Sequence, residues 1–81
     1  LEPEIRAAAV RFLRKKFGKG MRQLLRKAIE ENPQHWWVSR HRGWGTRVRN
    51  ELRSAGHGEE DLGIENLDDV YIGLIEEAVK E

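Results

Sequence analysis

Apolar residues recur at helical spacing from the first turn of this chain to its last. Ile5, Ala8, Ala9, Phe12 and Leu13 follow the i, i+3, i+4, i+7, i+8 rhythm of one buried helix face. Pro3 suits a first turn, where its missing N–H is no loss, and Glu2 and Glu4 suit the positive end of a helix dipole. The helix should end near Phe17, because Gly18 and Gly20 follow. Met21, Leu24, Leu25, Ala28 and Ile29 repeat the rhythm in a second helix, closed by Asn32 and Pro33. The short Gly18–Gly20 link makes the two helices antiparallel neighbours or an angled pair.

Residues 33–43 break the rhythm. Trp36, Trp37 and Val38 are consecutive, which fits neither a helical stripe nor an alternating strand, so an ordered connection with a short turn around 34–39 is expected. A third helix is predicted from Trp44 to Ser54, with Trp44, Val48, Leu52 and Ala55 on one face. Arg42, Thr46, Arg49 and Arg53 share another face. Glu59–Leu62 has room for one turn before Gly63. Asn66 is a good N-cap with Asp69 three residues on, and Leu67, Val70, Tyr71, Leu74, Ile75 and Ala78 form the cleanest stripe of the chain. No segment reads as a strand. The expected fold is all-α: a single domain over 1–81, a compact bundle of about four helices. It comprises a basic helix pair (1–32), a Trp-rich connection (33–43), and a basic helix with an acid-capped C-terminal helix (44–81). Its core should draw on Ile5, Ala9, Phe12, Leu13, Met21, Leu25, Ile29, Trp44, Val48, Leu52, Ile64, Val70, Tyr71, Leu74 and Ile75.

Charge changes this picture. The net charge of +1 conceals a split. Residues 1–54 carry fourteen Lys/Arg against five Asp/Glu, or +9, and residues 55–81 carry one Lys against nine Asp/Glu, or −8. Either the acidic part folds back on the basic part, or a basic face stays open to nucleic acid or another acidic surface. Almost no acid interrupts the run from Glu4 to Glu30. Arg11, Arg14, Lys15, Lys16, Arg22 and Arg26, joined by Arg42 and Arg53, are the candidate contacts to a DNA or RNA backbone. Trp36 and Trp37, interleaved with basic residues, are candidate stacking platforms for bases, against the plainer role of core packing. The other candidate partner is an acidic protein surface or a second copy of the chain.

The inventory offers little else. There is no cysteine, which excludes disulfides and fits a reducing, cytoplasmic setting. His35, His41 and His57 lack metal-ligand spacing, so no metal or cofactor is expected. No nucleophile–base arrangement or phosphate-binding loop is present, so no catalytic residue is assigned. No apolar run is long enough for a membrane span, and no signal-peptide pattern is visible. A first residue other than Met, Leu1, fits a part trimmed from something longer.

Two stretches carry a resemblance. His41, Gly43, Gly45, Val48, Arg49 and Asn50 match His-x-Gly-x-Gly-x-x-(Ile/Val)-Arg-Asn, and Leu62, Gly63, Ile64, Asp68 and Asp69 match Leu-Gly-Ile-x-x-x-Asp-Asp. With the apolar helix that follows, residues 41–79 resemble an uncharacterised family of small bacterial and phage-associated proteins. The resemblance implies a fold unit and no activity. The chain departs from that pattern at Arg42 and Arg47, where aromatic or apolar residues are expected, and at Leu67, where proline is usual. Physically, Arg49 and Asn50 are expected to reach Asp68 or Asp69 and tie two helix starts together.

Overall fold

The structure, a computed structural model, describes residues 1–80; Glu81, the last residue of the expected domain, lies outside the described residues. Four helices are present among them: α1 (Pro3–Glu31), α2 (Trp44–Ser54), α3 (Glu59–Leu62) and α4 (Tyr71–Val79). Short 3₁₀ turns at Val38–Arg40 and Leu67–Asp69 lead into α2 and α4, and no strand occurs among the described residues. The radius of gyration, 11.9 Å, is close to the ~12 Å of a compact chain of this length. The all-α bundle is therefore what the apolar rhythm predicts.

The helix pair differs from expectation in its joint. A single residue makes the break: Gly18 sits at φ 71°, ψ 171°, while Lys19 and Gly20 are helical. One residue in the left-handed region redirects the axis, and glycine adopts it without the Cβ penalty other residues meet. Across the break, Arg22 Nη1 donates to the Arg14 carbonyl at 2.8 Å. The new direction turns Leu25 into the core and leaves Met21 (38% exposed) and Leu24 (60% exposed) facing solvent. Met21 is thus not a core residue.

Helix α4 is the centre of the bundle. Tyr71, Leu74, Ile75, Ala78 and Val79 are all buried, and α1 is its main neighbour. A nine-residue helix is too short to be stable alone and depends on burying this face. Its C-terminal carbonyls point at two guanidiniums. Arg14 Nη1 donates to Ala78 at 3.1 Å and also to Lys80, and Arg26 Nη1 donates to Val79 at 2.8 Å. These bonds satisfy otherwise open acceptors and put positive charge at the negative end of the dipole.

Several boundaries shift. The turn expected around 34–39 is the 3₁₀ turn at Val38–Arg40. Helix α2 has the expected limits, and α3 is the expected single turn, ended by Gly63. The last helix starts later than its stripe. The Asn66 side chain accepts from the Asp68 N–H at 3.0 Å and caps the 3₁₀ turn, and Val70 (φ −123°, ψ −20°) separates that turn from α4. Leu62 and Val79 join the core unforeseen and Trp36 takes the plainer core-packing role, while Ile5, Phe12, Ile29, Trp44, Ile64 and Val70 are half-buried against it.

Candidate functional site

The two motif stretches meet at one buried cation. Arg49, on the inner side of α2, is 7% exposed. Its Nε lies 2.8 Å from Asp68 Oδ1. Its Nη2 donates to the His41 carbonyl at 3.2 Å and to Thr46 Oγ1 at 3.0 Å. The guanidinium carbon stands 4.6 Å above the Tyr71 ring centroid, a cation–π contact. Nη1 reaches His41 Nδ1 at 3.1 Å. A guanidinium can only donate, so that nitrogen accepts and the ring proton sits on Nε2. Tyr71 Oη, 2.7 Å from the same Nδ1, donates to it as well. Burial pushes the Tyr71 hydroxyl above its ordinary value, against the opposing pull of Arg49, which keeps it a neutral donor.

The expected tie is therefore half right. Arg49 pairs with Asp68, but Asn50 reaches neither aspartate: its Oδ1 accepts from Arg53 Nη1 at 2.9 Å. Asp69 is exposed and has no side-chain partner among the described residues. The reason is geometric, since Asn50 follows Arg49 around the helix and faces outward. Tyr71, Thr46 and Gly45 complete the cluster. The Gly-x-Gly spacing is the one sequence signal that points to a close approach there.

Arg53 is also not free. Its Nε and Nη2 form a fork on Glu59, at 3.0 and 2.8 Å, and the Leu67 N–H adds a third bond at 3.1 Å. The Arg53 hydrogen bonds first, then those from the Glu59 and Leu67 backbone, lower the Glu59 carboxyl from 4.5 to about 2. A carboxyl depressed in the folded state contributes stability that is fully present above its unfolded value and lost as pH falls through the folded one. The chain should therefore lose stability between pH 4.5 and about 2, and Glu59→Gln should flatten the Tm–pH curve over that window. Identical acid slopes for both forms would remove Glu59 from that account.

The expected nucleic-acid contacts divide into two groups. Arg14, Arg22 and Arg26 are engaged with backbone carbonyls and Arg53 with Glu59, so each of these four already has a partner within the fold. Arg11, Lys15 and Arg42 are exposed, and their side chains have no hydrogen bond or ion pair among the described residues. Lys16 stands 3.8 Å from Glu51, with half its side chain exposed. Lys19 and Arg47, outside the expected set, are exposed and unpaired in the same sense. The face expected to hold Arg42, Thr46, Arg49 and Arg53 is dissolved by the Arg49 and Arg53 pairings.

Of the two expected stacking platforms, Trp36 is closed and Trp37 is half-buried. Trp36 is 3% exposed, and its Nε1 donates to Glu76 Oε2 at 2.9 Å. Trp37 is half-buried, its ring edge-on to His41 at 5.6 Å. The adjacent tryptophans both pack because a turn, not a regular helix or strand, carries them. Trp44 instead meets Phe17, with centroids 5.7 Å apart and rings inclined by 30°. This contact joins the break in α1 to the start of α2. Around it lies a hollow of about 250 Å³ lined by Lys16, Phe17, Met21, Trp44, Arg47, Val48 and Glu51.

Among the described residues, no cluster of His, Asp and Glu could hold a metal ion, and no helix is long and apolar enough to cross a membrane. Comparison of the chain with protein-family models, with curated proteins and with solved structures gives no match.

Proposed function

We propose that this chain is a non-enzymatic module, acting in the cytoplasm without a cofactor, that binds the phosphate backbone of DNA or RNA. One observation carries the reading. The acids of the C-terminal part that pair with cations take other ones: Glu77 pairs with Arg6, Asp68 with Arg49 and Glu59 with Arg53. Arg11, Lys15, Lys19, Arg42 and Arg47 are left uncompensated. Lys16 and Arg47 line one hollow, so the end of the first arm of α1 and the start of α2 present their cations together. Exposed cations without an internal role are the usual means of neutralising phosphates. The likeness of residues 41–79 to an uncharacterised family belongs to the same proposal. His41, Gly45, Arg49 and Asp68 of that motif all serve the buried cluster, which supports reading it as a structural unit that presents a variable surface.

The expected result is binding to labelled DNA or RNA that weakens steeply as salt rises, with little dependence on base sequence. Reversing Lys15 and Arg47 to Glu should abolish it without lowering Tm. Arg14 is not a suitable probe, because its reversal would uncap α4. Absence of binding at about 50 mM salt, where phosphate contacts are strong, would sink the proposal. A second reading, docking to an acidic protein surface or a second copy, is supported by the exposure of Met21 and Leu24 beside these cations. Self-association would show as a concentration-dependent mass in light scattering.

A further inference from the structure

Resting on the reading of the basic face as a nucleic-acid contact, we infer that the hollow at the α1–α2 junction seats an unpaired base, so that the ligand is a single strand. Phe17 and Trp44 form an aromatic corner, half-buried and in mutual contact at 5.7 Å. Met21, 38% exposed, gives the corner a polarizable apolar edge that nothing in the chain covers. Lys16 from α1 and Arg47 from α2 line the same hollow, with Glu51 as its one acid, 3.8 Å from Lys16, so that Arg47 is the cation left free for a phosphate. Its volume, about 250 Å³, falls below the ~300–1,000 Å³ of sites for drug-sized ligands. It suits one planar ring system. The charge fixes the kind of ligand: a free cation at the rim calls for a phosphate flanking the ring, and an aromatic lining calls for a π-face. A nucleotide within a strand offers both. In a duplex the base faces are buried in the stack, whereas a single strand presents them. Trp36 cannot take this part, since it is buried and bonded to Glu76, and Trp37, packed on His41, does not line this hollow.

The test compares three labelled probes of equal length on the unaltered chain at one low salt: single-stranded DNA, duplex DNA, and a strand with the same phosphates but no bases. Fluorescence anisotropy should show the single strand binding about tenfold tighter than the base-free strand, and tighter than the duplex. Trp44→Leu, which keeps the site apolar, should reduce the single strand to the level of the base-free strand while leaving base-free binding unchanged. Equal affinity for all three probes, or a preference for duplex, would overturn the seat and leave the phosphate-contact reading standing. So would a Trp44→Leu variant that keeps the full preference and an unaltered circular dichroism spectrum. Failure of every probe to bind would overturn both.

Discussion

Arg49→Ala should destabilise the fold by about 2–4 kcal/mol, from the hydrogen bonds that a buried side chain gives up and the void it leaves. A domain of this length has about 4–12 kcal/mol in total, at ~0.05–0.15 kcal/mol per residue, so the variant should lose a large share of its stability. The ion pair itself is not the main reason. Asp68 keeps 42% of its side chain exposed, so water can replace the guanidinium there, and this contact alone contributes at the modest level of surface pairs. What cannot be replaced is the interior end. Removal of Arg49 takes a donor from the His41 carbonyl, His41 Nδ1 and Thr46 Oγ1, although Tyr71 Oη still donates to Nδ1 and Thr46 Oγ1 to the carbonyl, and it opens a void over the Tyr71 ring. Each lost hydrogen bond costs about 0.5–1.5 kcal/mol, and the void adds to that. Asp68→Ala should cost less than Arg49→Ala, because the cation retains its neutral acceptors and gains water on the exposed side. A double-mutant cycle should show coupling of at least ~0.5 kcal/mol between Arg49 and Asp68, as for contacting residues, and none between Arg49 and Asp69. Urea unfolding measures all of these, and an Arg49→Ala loss under about 1 kcal/mol would refute the central role of the cluster.

The fold was readable wherever one residue type had one outlet. The stripe of Tyr71, Leu74, Ile75 and Ala78 has nowhere to go but inward, and the limits of α2 follow from its flanking glycines. Cations have two outlets, solvent or a partner, and their spacing along a helix does not distinguish them. Arg14 and Arg26 look like members of a phosphate-binding run, yet they cap the distant C-terminus of α4. That use depends on where the Gly18 break aims the second arm, a tertiary fact no local pattern encodes. The same break exposes Met21 and Leu24 despite their helical spacing. Trp36 is the converse case: its neighbours suggest an exposed platform, but Glu76, forty residues on, supplies the acceptor that lets the indole be buried. The Arg49–Asp68 tie was foreseeable from charge and motif alone. Its third member, Tyr71, was read only as core, because its ring satisfies the apolar stripe while its hydroxyl serves the polar cluster.

Gly45→Ala should be a strongly damaging single-methyl change. A Cβ at position 45 would stand 2.6 Å from Tyr71 Oη, 3.1 Å from the Arg40 carbonyl and 3.3 Å from Tyr71 Cζ. On a flexible surface side chain such a clash is relieved by rotation. Tyr71 has no such freedom: it is 1% exposed, its hydroxyl is bonded to His41 and its ring lies beneath Arg49. The methyl must move α2 away from α4 or drive the tyrosine out of its well, and overpacking of this kind costs about 1–3 kcal/mol, occasionally more. The mechanism predicts its own rescue. Tyr71→Phe deletes the atom at 2.6 Å while His41 Nδ1 keeps the Arg49 donor, so alone it should cost only about 1 kcal/mol, the worth of an ordinary hydrogen bond. Combined with Gly45→Ala it should restore most of the stability lost by the methyl. The double variant would then be more stable than Gly45→Ala alone, a sign reversal that additive losses cannot produce. Rescue should stop short of completion, because the Arg40 carbonyl at 3.1 Å belongs to the backbone and cannot be trimmed. Thermal melts of the four proteins decide the matter: a double variant no more stable than Gly45→Ala would mean that the backbone contact, and not the tyrosine hydroxyl, excludes a side chain at position 45.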